Sequence, residues 1–213
     1  MRFADRTDAG RRLAAVVQRQ DLMDPVVLAL PRGGVPVAAE VARALAAPLD
    51  LVMVRKIGLP DQPEVALGAV TNGQRPELEV NEAIAAQAGY NRLDIVRLAE
   101  PELAEIARRR ALYQAGHDPV PVAGRCAIIV DDGLATGATA RVALRHLRRL
   151  GAARLVLAVP VAAPGALEGV QALADQVICL HAPPGFGAVG AYYDDFAQLD
   201  DAAVIACLAD RRA

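Results

Sequence analysis

Short apolar runs alternate with helical patterns along most of this chain, and this alternation restricts its fold more than any other feature. Five runs rich in Val, Ile, Leu and Ala have the length of strands buried on both faces: 26–30, 49–54, 127–130, 155–159 and 177–180. Helical patterns follow three of them: 35–45, 138–150 and 164–174. Strands and helices that alternate in this way form parallel βα units. The sequence therefore predicts an α/β fold with a doubly wound, mainly parallel, five-stranded sheet.

Residues 57–124 depart from this alternation. Two strand-like runs, 65–70 and 77–80, flank Asn72-Gly73, a pair that favours the type I′ turn of a β-hairpin. A hairpin inserted between the strands of an α/β sheet is typical of a cover over one edge of that sheet. We name residues 57–124 the hood.

The remainder of the hood is helical in pattern over 82–115, with a break or kink expected at Pro101. The chain has 213 residues, which suits one domain of ordinary size. We therefore predict a single domain, 1–213, that carries the hood as an insertion and ends in a C-terminal tail, 181–213.

Composition removes several classes of protein. The chain contains no Ser, which excludes serine hydrolases. Its single Lys, Lys56, follows Arg55 rather than Gly, which excludes the phosphate loop of P-loop nucleotide hydrolases. Its three Cys are widely spaced, so neither a zinc site nor a disulfide framework is predicted: Cys126, Cys179 and Cys207.

Charge and hydropathy predict a cytoplasmic protein. A net charge of −2 gives no electrostatic footprint for nucleic acid. The longest apolar stretch, 155–167, contains Pro160 and Pro164 and is too short to span a bilayer. The first residues are charged where a secretory signal is apolar. We expect neither a nucleic-acid nor a membrane partner.

Residues 127–139 form the motif with the clearest chemistry. The run 127–130 delivers Asp131 and Asp132 to the carboxyl end of a buried strand, where open α/β sheets bind ligands. A turn of small residues follows, and it holds two of the chain's four Thr at the start of a helix. Hydroxyl and N–H groups at a helix N-terminus bind anions. The motif thus predicts a phosphate site beside two acceptors suited to ribose hydroxyls, although Asp132 or Thr136 could instead only cap the helix.

This motif resembles the phosphoribosyl pyrophosphate (PRPP) signature of the type I phosphoribosyltransferases. The resemblance implies that Asp131 and Asp132 contact the ribose hydroxyls. It implies that the 5′-phosphate is wrapped by five residues: Ala135, Thr136, Gly137, Ala138 and Thr139. It also implies Mg²⁺ bound mainly through the substrate, with Asp131 and Asp132 as candidate ligands, and a homodimer.

Two further loops follow predicted strands and fit the same family. Arg32-Gly33-Gly34 resembles the family's pyrophosphate loop, in which a guanidinium binds the anion and the glycines let the backbone turn towards it. Arg55-Lys56 resembles the segment that leads into the flexible hood of adenine phosphoribosyltransferases. These resemblances imply that Arg32, Arg55 and Lys56 bind the pyrophosphate together with Gly33 and Gly34. The alternatives are an Arg32 that points to solvent and a solvated charge pair at 55–56. We predict Asp131, Asp132, Lys56 and Arg32 as the catalytic set.

The C-terminal tail carries a misleading motif and a candidate base pocket. Residues 185–190 match G-x-G-x-x-G, but Pro183-Pro184 separates them from the preceding strand and no helix pattern follows, which disfavours dinucleotide binding. The same region loosely resembles the base pocket of hypoxanthine-guanine phosphoribosyltransferases. That resemblance implies base contacts from Phe186, Val189, Tyr193 and Asp194, whereas aromatic residues near a chain end also serve to cover the core.

These resemblances imply an enzyme that transfers the ribose 5-phosphate group of PRPP to a nitrogenous base, with purine slightly favoured over pyrimidine. Ala135 stands where the hypoxanthine-guanine enzymes carry Asp, so the proton-transfer group is unassigned, with Glu64 as a speculative substitute. A catalytically silent PRPP sensor and a nucleoside-type hydrolase are the alternatives.

Overall fold

The computed structural model describes residues 1–71, 78–114 and 118–209. In chain order its strands are β1 (Pro25–Ala29), β2 (Leu49–Leu51), β3 (Val54–Leu59), β4 (Gln62–Thr71), β5 (Leu78–Val80), β6 (Cys126–Val130), β7 (Arg154–Val161) and β8 (Gln176–His181). Its helices are α1 (Arg6–Val17), α2 (Gly34–Leu45), α3 (Glu82–Ala88), α4 (Arg92–Gln114), α5 (Ala138–Arg149), α6 (Pro164–Gln171) and α7 (Asp201–Ala209). Within the described ranges, no helix has the length and apolar character needed to cross a membrane.

Five strands form the predicted parallel sheet, in the order β2-β1-β6-β7-β8. Val27 pairs in register with Ile128, and Ile128 pairs with Val156. These three side chains face α1 and α2, while the alternate residues of the same strands, such as Ile129, face α5. Because both faces are covered, the central strands β1, β6 and β7 are almost wholly apolar, and the predicted doubly wound α/β fold is confirmed.

Helix α1 has no counterpart in the predicted elements. It packs on α2, and its buried residues are largely small: Ala9, Gly10 and Ala14 are buried beside Leu13 and Val17. Such a face gives a weak apolar period, which is why patterning missed it. Asp5 caps the helix by accepting a hydrogen bond from the Asp8 N–H at 2.7 Å.

Three strands form a second, antiparallel sheet in the order β3-β4-β5. Strands β4 and β5 are the arms of the predicted hairpin, and the Asn72-Gly73 turn lies outside the described residues. Strand β3 was not predicted as a separate element. The run 49–54 divides after Leu51, and Val54 leaves the parallel sheet to pair with Thr71. The chain therefore passes from one sheet to the other through two buried residues, 52–53.

The helical part of the hood breaks at residues 89–91 and not at Pro101, so the prediction of a break at Pro101 was wrong. Gly89 ends α3 in the left-handed conformation, with φ at 76°. Asn91 and Asp94 then form a reciprocal cap, in which the Asn91 side chain accepts from the Asp94 N–H at 3.2 Å and the Asp94 carboxylate accepts from the Asn91 N–H at 3.1 Å. Helix α4 runs on through Pro101.

The buried carboxylate of Asp50 joins the two ends of the segment that runs from β2 to Val120. Asp50 lies on β2 and is 5% exposed. Its carboxylate accepts hydrogen bonds from the N–H of Leu51 and the N–H of Val120, each at 2.8 Å. The chain thus leaves the parallel sheet and returns towards β6 at the same place.

Candidate functional site

The acidic pair and the predicted pyrophosphate loop are in direct contact. Asp131 and Asp132 follow β6, and Gly33 and Gly34 follow β1, which is the neighbour of β6 in the sheet. A Cβ atom added to Gly33 would overlap the Asp132 carboxylate and lie 2.6 Å from its Cγ. A Cβ atom at Gly34 would lie 2.6 Å from the carbonyl oxygen of Val130. Only glycine allows the two loops to approach this closely at the carboxyl edge of the sheet.

Burial raises the pKa of both carboxyl groups in the pair. For Asp131 the burial effect is reinforced by the negative charge of Asp132. For Asp132 it is opposed by a hydrogen bond from Arg6, whose Nε atom donates to Asp132 Oδ2 at 2.8 Å. Arg6 begins α1, 126 residues away in sequence, so no local spacing or motif could have identified it as part of the site.

Residues 135–139 form an exposed turn at the start of α5. Gly137 has φ at 69° and caps α5, a conformation that favours glycine. The Thr136 hydroxyl accepts from the Ala138 N–H at 3.3 Å. Arg141 Nη1 donates a hydrogen bond to the Thr136 carbonyl at 2.8 Å, which stabilises the turn. Ala135, Thr136, Ala138 and Thr139 are exposed, as a phosphate-binding turn requires.

A cavity of about 500 Å³ separates this turn from the antiparallel sheet. Its polar lining includes Lys56, Glu79, Thr136, Thr139, Arg141 and Arg145. Arg145 and Glu79 form an ion pair across the gap between α5 and β5. The structure thus places Lys56 opposite the predicted phosphate turn, in a cavity with more cationic than anionic groups.

The two other cations predicted to bind pyrophosphate have different neighbours. Arg55 precedes Lys56 on β3, so its side chain points to the other face, where its Nε lies 2.6 Å from Glu102 Oε2 on α4. Arg32 Nη1 lies 3.9 Å from Asp201 Oδ1 on α7. The Tyr113 hydroxyl donates to Asp201, and burial together with this hydrogen bond raises the pKa of Tyr113 to about 12. Arg32, Arg55 and Lys56 therefore do not share one surface.

The candidate base residues divide into two groups. Tyr193 is 3% exposed and packs against Phe3 and Phe196, while its hydroxyl donates to the Asp132 carbonyl at 2.6 Å. Burial raises its pKa well above the ordinary value. Tyr193 therefore covers the core, which was the alternative to base binding for the aromatic residues of the tail. Asp194 forms an exposed pair with Arg2 at 2.5 Å.

Val189 lies beside the acidic pair, and Phe186 packs in the same apolar cluster as Val189. A Cβ atom at Gly133 would lie 2.6 Å from Val189 Cγ1, so Val189 covers the residue that follows Asp132. Phe186 stacks on Tyr192, with ring centres 5.6 Å apart. These side chains form an apolar, aromatic wall next to the carboxyl edge of the sheet.

The remaining predicted features concern metals and thiols. The three cysteines form no disulfide, as predicted, and burial raises the pKa of the thiols of Cys126 and Cys179. Within 1–71, 78–114 and 118–209, no cluster of three or more His, Cys, Asp or Glu side chains could hold a metal ion. The Glu64 side chain lies outside what the structure describes.

Comparison with known proteins gives consistent matches. A family model described as a phosphoribosyl transferase domain matches residues 4–196. A Mycobacterium tuberculosis protein, provisionally named as a phosphoribosyl transferase, is 43% identical over 206 residues, which cover 97% of this chain and 46% of the relative. The crystal structure of TT1426 from Thermus thermophilus is 42% identical, with a TM-score of 0.87 and full coverage of both chains. The chain spans just under half the length of the mycobacterial relative.

Proposed function

The chain belongs to the phosphoribosyl transferase family, and we propose that it transfers the ribose 5-phosphate group of PRPP to a nitrogenous base and releases pyrophosphate. One observation carries the proposal: the Gly33-Gly34 loop rests directly on Asp131 and Asp132. Two loops that are about a hundred residues apart in sequence therefore supply an anion-binding turn and two carboxylates at one edge of the sheet.

The chemistry of each group suggests its role. The N–H groups of 135–139 and the hydroxyls of Thr136 and Thr139 would bind the 5′-phosphate. The carboxylates of Asp131 and Asp132 would accept hydrogen bonds from the ribose hydroxyls. The backbone of Gly33 and Gly34 would face the pyrophosphate. Because all of these groups are set by the sheet edge before substrate binds, the protein contributes mainly position and charge.

The reaction requires no covalent intermediate with the protein. A nitrogen of the base attacks C1 of the ribose, the C1–O bond to pyrophosphate breaks, and pyrophosphate leaves with the bonding electrons. The proton that the attacking nitrogen carried is released to the departing pyrophosphate or to water. Positive charge develops on the sugar ring in the transition state, and the half-buried carboxylates of Asp131 and Asp132 would stabilise it. The cationic Lys56 would stabilise negative charge on a phosphate group.

The acidic pair fits Mg²⁺ only as a partial ligand set. Two carboxylates are present where a protein cage would need more oxygen ligands, so Asp131 and Asp132 would share the ion with substrate oxygens and water. When bound, Mg²⁺ would neutralise part of the charge on the pyrophosphate.

The acceptor is proposed to be a purine. The support is the aromatic wall of Phe186 and Tyr192 next to Val189, which offers a flat apolar surface of the kind on which a base stacks. The homodimer and the cytoplasmic location stay predictions from the sequence.

Calorimetric titration with PRPP, with and without Mg²⁺, tests the proposal first. Binding that is lost in Asp131→Asn/Asp132→Asn supports the site, and absence of binding at millimolar PRPP would overturn it. A pyrophosphate-release assay on a panel of purines and pyrimidines then tests transfer. Release with one base identifies the acceptor class. Binding without release on any base would identify a silent sensor, and ribose phosphate formed without a base would identify a hydrolase.

A further inference from the structure

Residues 3–6, near the start of the chain, meet residues 192–197 beside the acidic pair. Residues 3–4 and 192–195 form a short parallel bridge, in which the Phe3 N–H donates to the Tyr192 carbonyl and the Asp194 N–H donates to the Phe3 carbonyl, each at 2.9 Å. The Asp195 N–H donates to the Ala4 carbonyl, also at 2.9 Å. We name residues 3–6 and 192–197 the terminal clamp.

Arg6 connects the terminal clamp to the acidic pair. Its Nε donates to Asp132 Oδ2 at 2.8 Å, and its Nη1 donates to the Ala197 carbonyl at 2.9 Å. Its guanidinium carbon lies 3.9 Å from the centre of the Phe196 ring. The side chains of Arg6 and Asp132 are 11% and 14% exposed. An acid, a carbonyl and an aromatic face thus fix the orientation of the guanidinium.

The main chain of Asp132 is held by the same clamp. The Tyr193 hydroxyl donates to the Asp132 carbonyl at 2.6 Å. Tyr193 is itself packed between Phe3 and Phe196, with ring centres at 5.4 Å and 4.9 Å. Asp132 is therefore fixed through both its carboxylate and its backbone by residues from opposite ends of the chain.

We propose that Arg6 is a positioning residue that orients the Asp132 carboxylate for the ribose hydroxyls of PRPP. The inference rests on the proposed function, since it assumes that Asp132 contacts the ribose. A carboxylate has two oxygens, and a hydrogen bond from a fixed guanidinium to one of them sets the direction in which the other points. Without Arg6, the carboxylate could rotate, and its mostly buried charge would lose its nearest cation.

Three variants test the proposal in the full chain. Arg6→Met removes the charge and the hydrogen bonds but keeps an unbranched side chain. Arg6→Lys keeps the charge but loses the planar guanidinium that contacts both Asp132 and the Phe196 ring. Arg12→Met is the matched control, because Arg12 lies on the same helix, pairs with Asp8 and lies 5.5 Å from the Phe3 ring.

The readout is the Kd for PRPP together with the stoichiometry of binding. We expect Kd to rise at least about tenfold in Arg6→Met, with a smaller rise in Arg6→Lys and no change in Arg12→Met. A residue that only stabilises the fold would lower the fraction of protein able to bind, and would leave Kd unchanged.

A wild-type Kd in Arg6→Met would overturn the inference. If that variant does not fold, a wild-type Kd in Arg6→Lys would overturn it instead. Absence of pyrophosphate release by the wild-type protein, with PRPP binding intact, would overturn transfer but leave the Kd comparison valid. Absence of PRPP binding by the wild-type protein would overturn both proposals.

Discussion

The two sheets of this protein differ in how much of their attachment is polar. The central strands β1, β6 and β7 are almost wholly apolar and buried on both faces. The antiparallel sheet shares the apolar core through Ile57, Leu67 and Val70, but much of it is half-buried, and polar contacts also join it to its surroundings. Arg55 pairs with Glu102 on α4, and Thr71 Oγ1 lies 3.2 Å from His146 Nδ1 on α5, in a buried hydrogen bond. A third polar contact is the ion pair between Glu79 and Arg145.

This difference matches what each sheet brings to the site. Apolar burial is non-directional, but close packing makes the parallel sheet rigid, so its edge can hold Asp131 and Asp132 in fixed positions. Polar contacts can exchange with water or an anion. A bound ligand can therefore weaken or replace the polar contacts of the antiparallel sheet, which carries Lys56. The comparison predicts that substitutions in the two sheets will have different consequences.

The largest effect is expected from two matched glycine substitutions, one in each environment. Gly34→Ala brings a Cβ atom to 2.6 Å from the Val130 carbonyl, and Gly68→Ala brings one into overlap with the Glu79 carbonyl. We expect Gly34→Ala to lower the global free energy of unfolding by about 2–3 kcal/mol, because the parallel sheet cannot yield. Gly68→Ala should instead speed hydrogen exchange of the β5 amides and lower the global free energy of unfolding less. An equal loss of global free energy of unfolding in the two variants would contradict the proposed difference between the sheets.

The next test exchanges two neighbouring cations on one strand. Lys56→Arg places a planar guanidinium in the cavity where a compact ammonium now lies, and we expect turnover to fall about tenfold with the fold intact. Arg55→Lys is the control, since it alters only the contact with Glu102 on the opposite face. Steady-state kinetics and thermal unfolding measure both. Unchanged kinetics in Lys56→Arg would show that Lys56 has no part in the reaction.

A smaller effect is expected where the antiparallel sheet meets α5. Thr71 and His146 are 1% and 4% exposed, so Thr71→Val removes a buried hydrogen bond with little change of shape. We expect the free energy of unfolding to fall by about 1–2 kcal/mol, measured by urea denaturation. The Kd for PRPP should stay the same. Thr7→Val on α1 is the control for loss of a hydroxyl group elsewhere.

The smallest effect concerns a polar contact of the parallel sheet, near the amino ends of its strands. The Asp175 carboxylate accepts hydrogen bonds from Arg148 at 2.9 Å and from the Leu155 N–H at 2.7 Å. The Arg148 contact, helped by the Leu155 N–H, holds the pKa of Asp175 below its ordinary value. Such a group stabilises the fold above its unfolded pKa of about 3.9 and ceases to do so as pH falls through the folded value.

We therefore expect Asp175→Asn to lower the free energy of unfolding by less than about 1 kcal/mol at neutral pH, because the pair is largely exposed. Wild type and variant should converge as the pH is lowered below about 4. Urea denaturation at neutral and acidic pH measures the difference. A difference that grows at acidic pH would contradict the sign.

Local sequence was sufficient for the parallel sheet and insufficient for its surroundings. Four strands of that sheet contain a continuous apolar run followed by a loop, and only Asp50 interrupts the run that contains β2, so the apolar pattern marked all five. Helix α1 was not predicted because Ala and Gly form much of its buried face. Strand β3 was not predicted as a separate element because it continues directly from the apolar run that contains β2. The hood break was misplaced because Gly89 ends α3 and the Asn91 and Asp94 cap starts α4, whereas α4 continues through Pro101.

The site shows the same division. The acidic pair, the Thr-containing turn and the Gly33-Gly34 loop each follow a strand, and their meeting was predictable from the order of βα units. Arg6 and the packing of Tyr193 depend on contacts between distant parts of the chain, which no spacing reveals. Arg55 and Lys56 point to opposite faces because they are neighbours on the strand β3. Since β3 was not predicted as a separate strand, the sequence did not show that the two side chains face different surroundings.

The carboxylate of Asp50 has a consequence for how relatives of this protein can diverge. It binds the N–H groups of Leu51 and Val120, so the stretch between them departs and returns at adjacent points. Segments with adjacent ends are the ones that tolerate insertion, exchange and changes of length. A recombination event that exchanged this stretch would replace Lys56 and the antiparallel sheet, and would leave Asp131 and Asp132 at the edge of the parallel sheet unchanged.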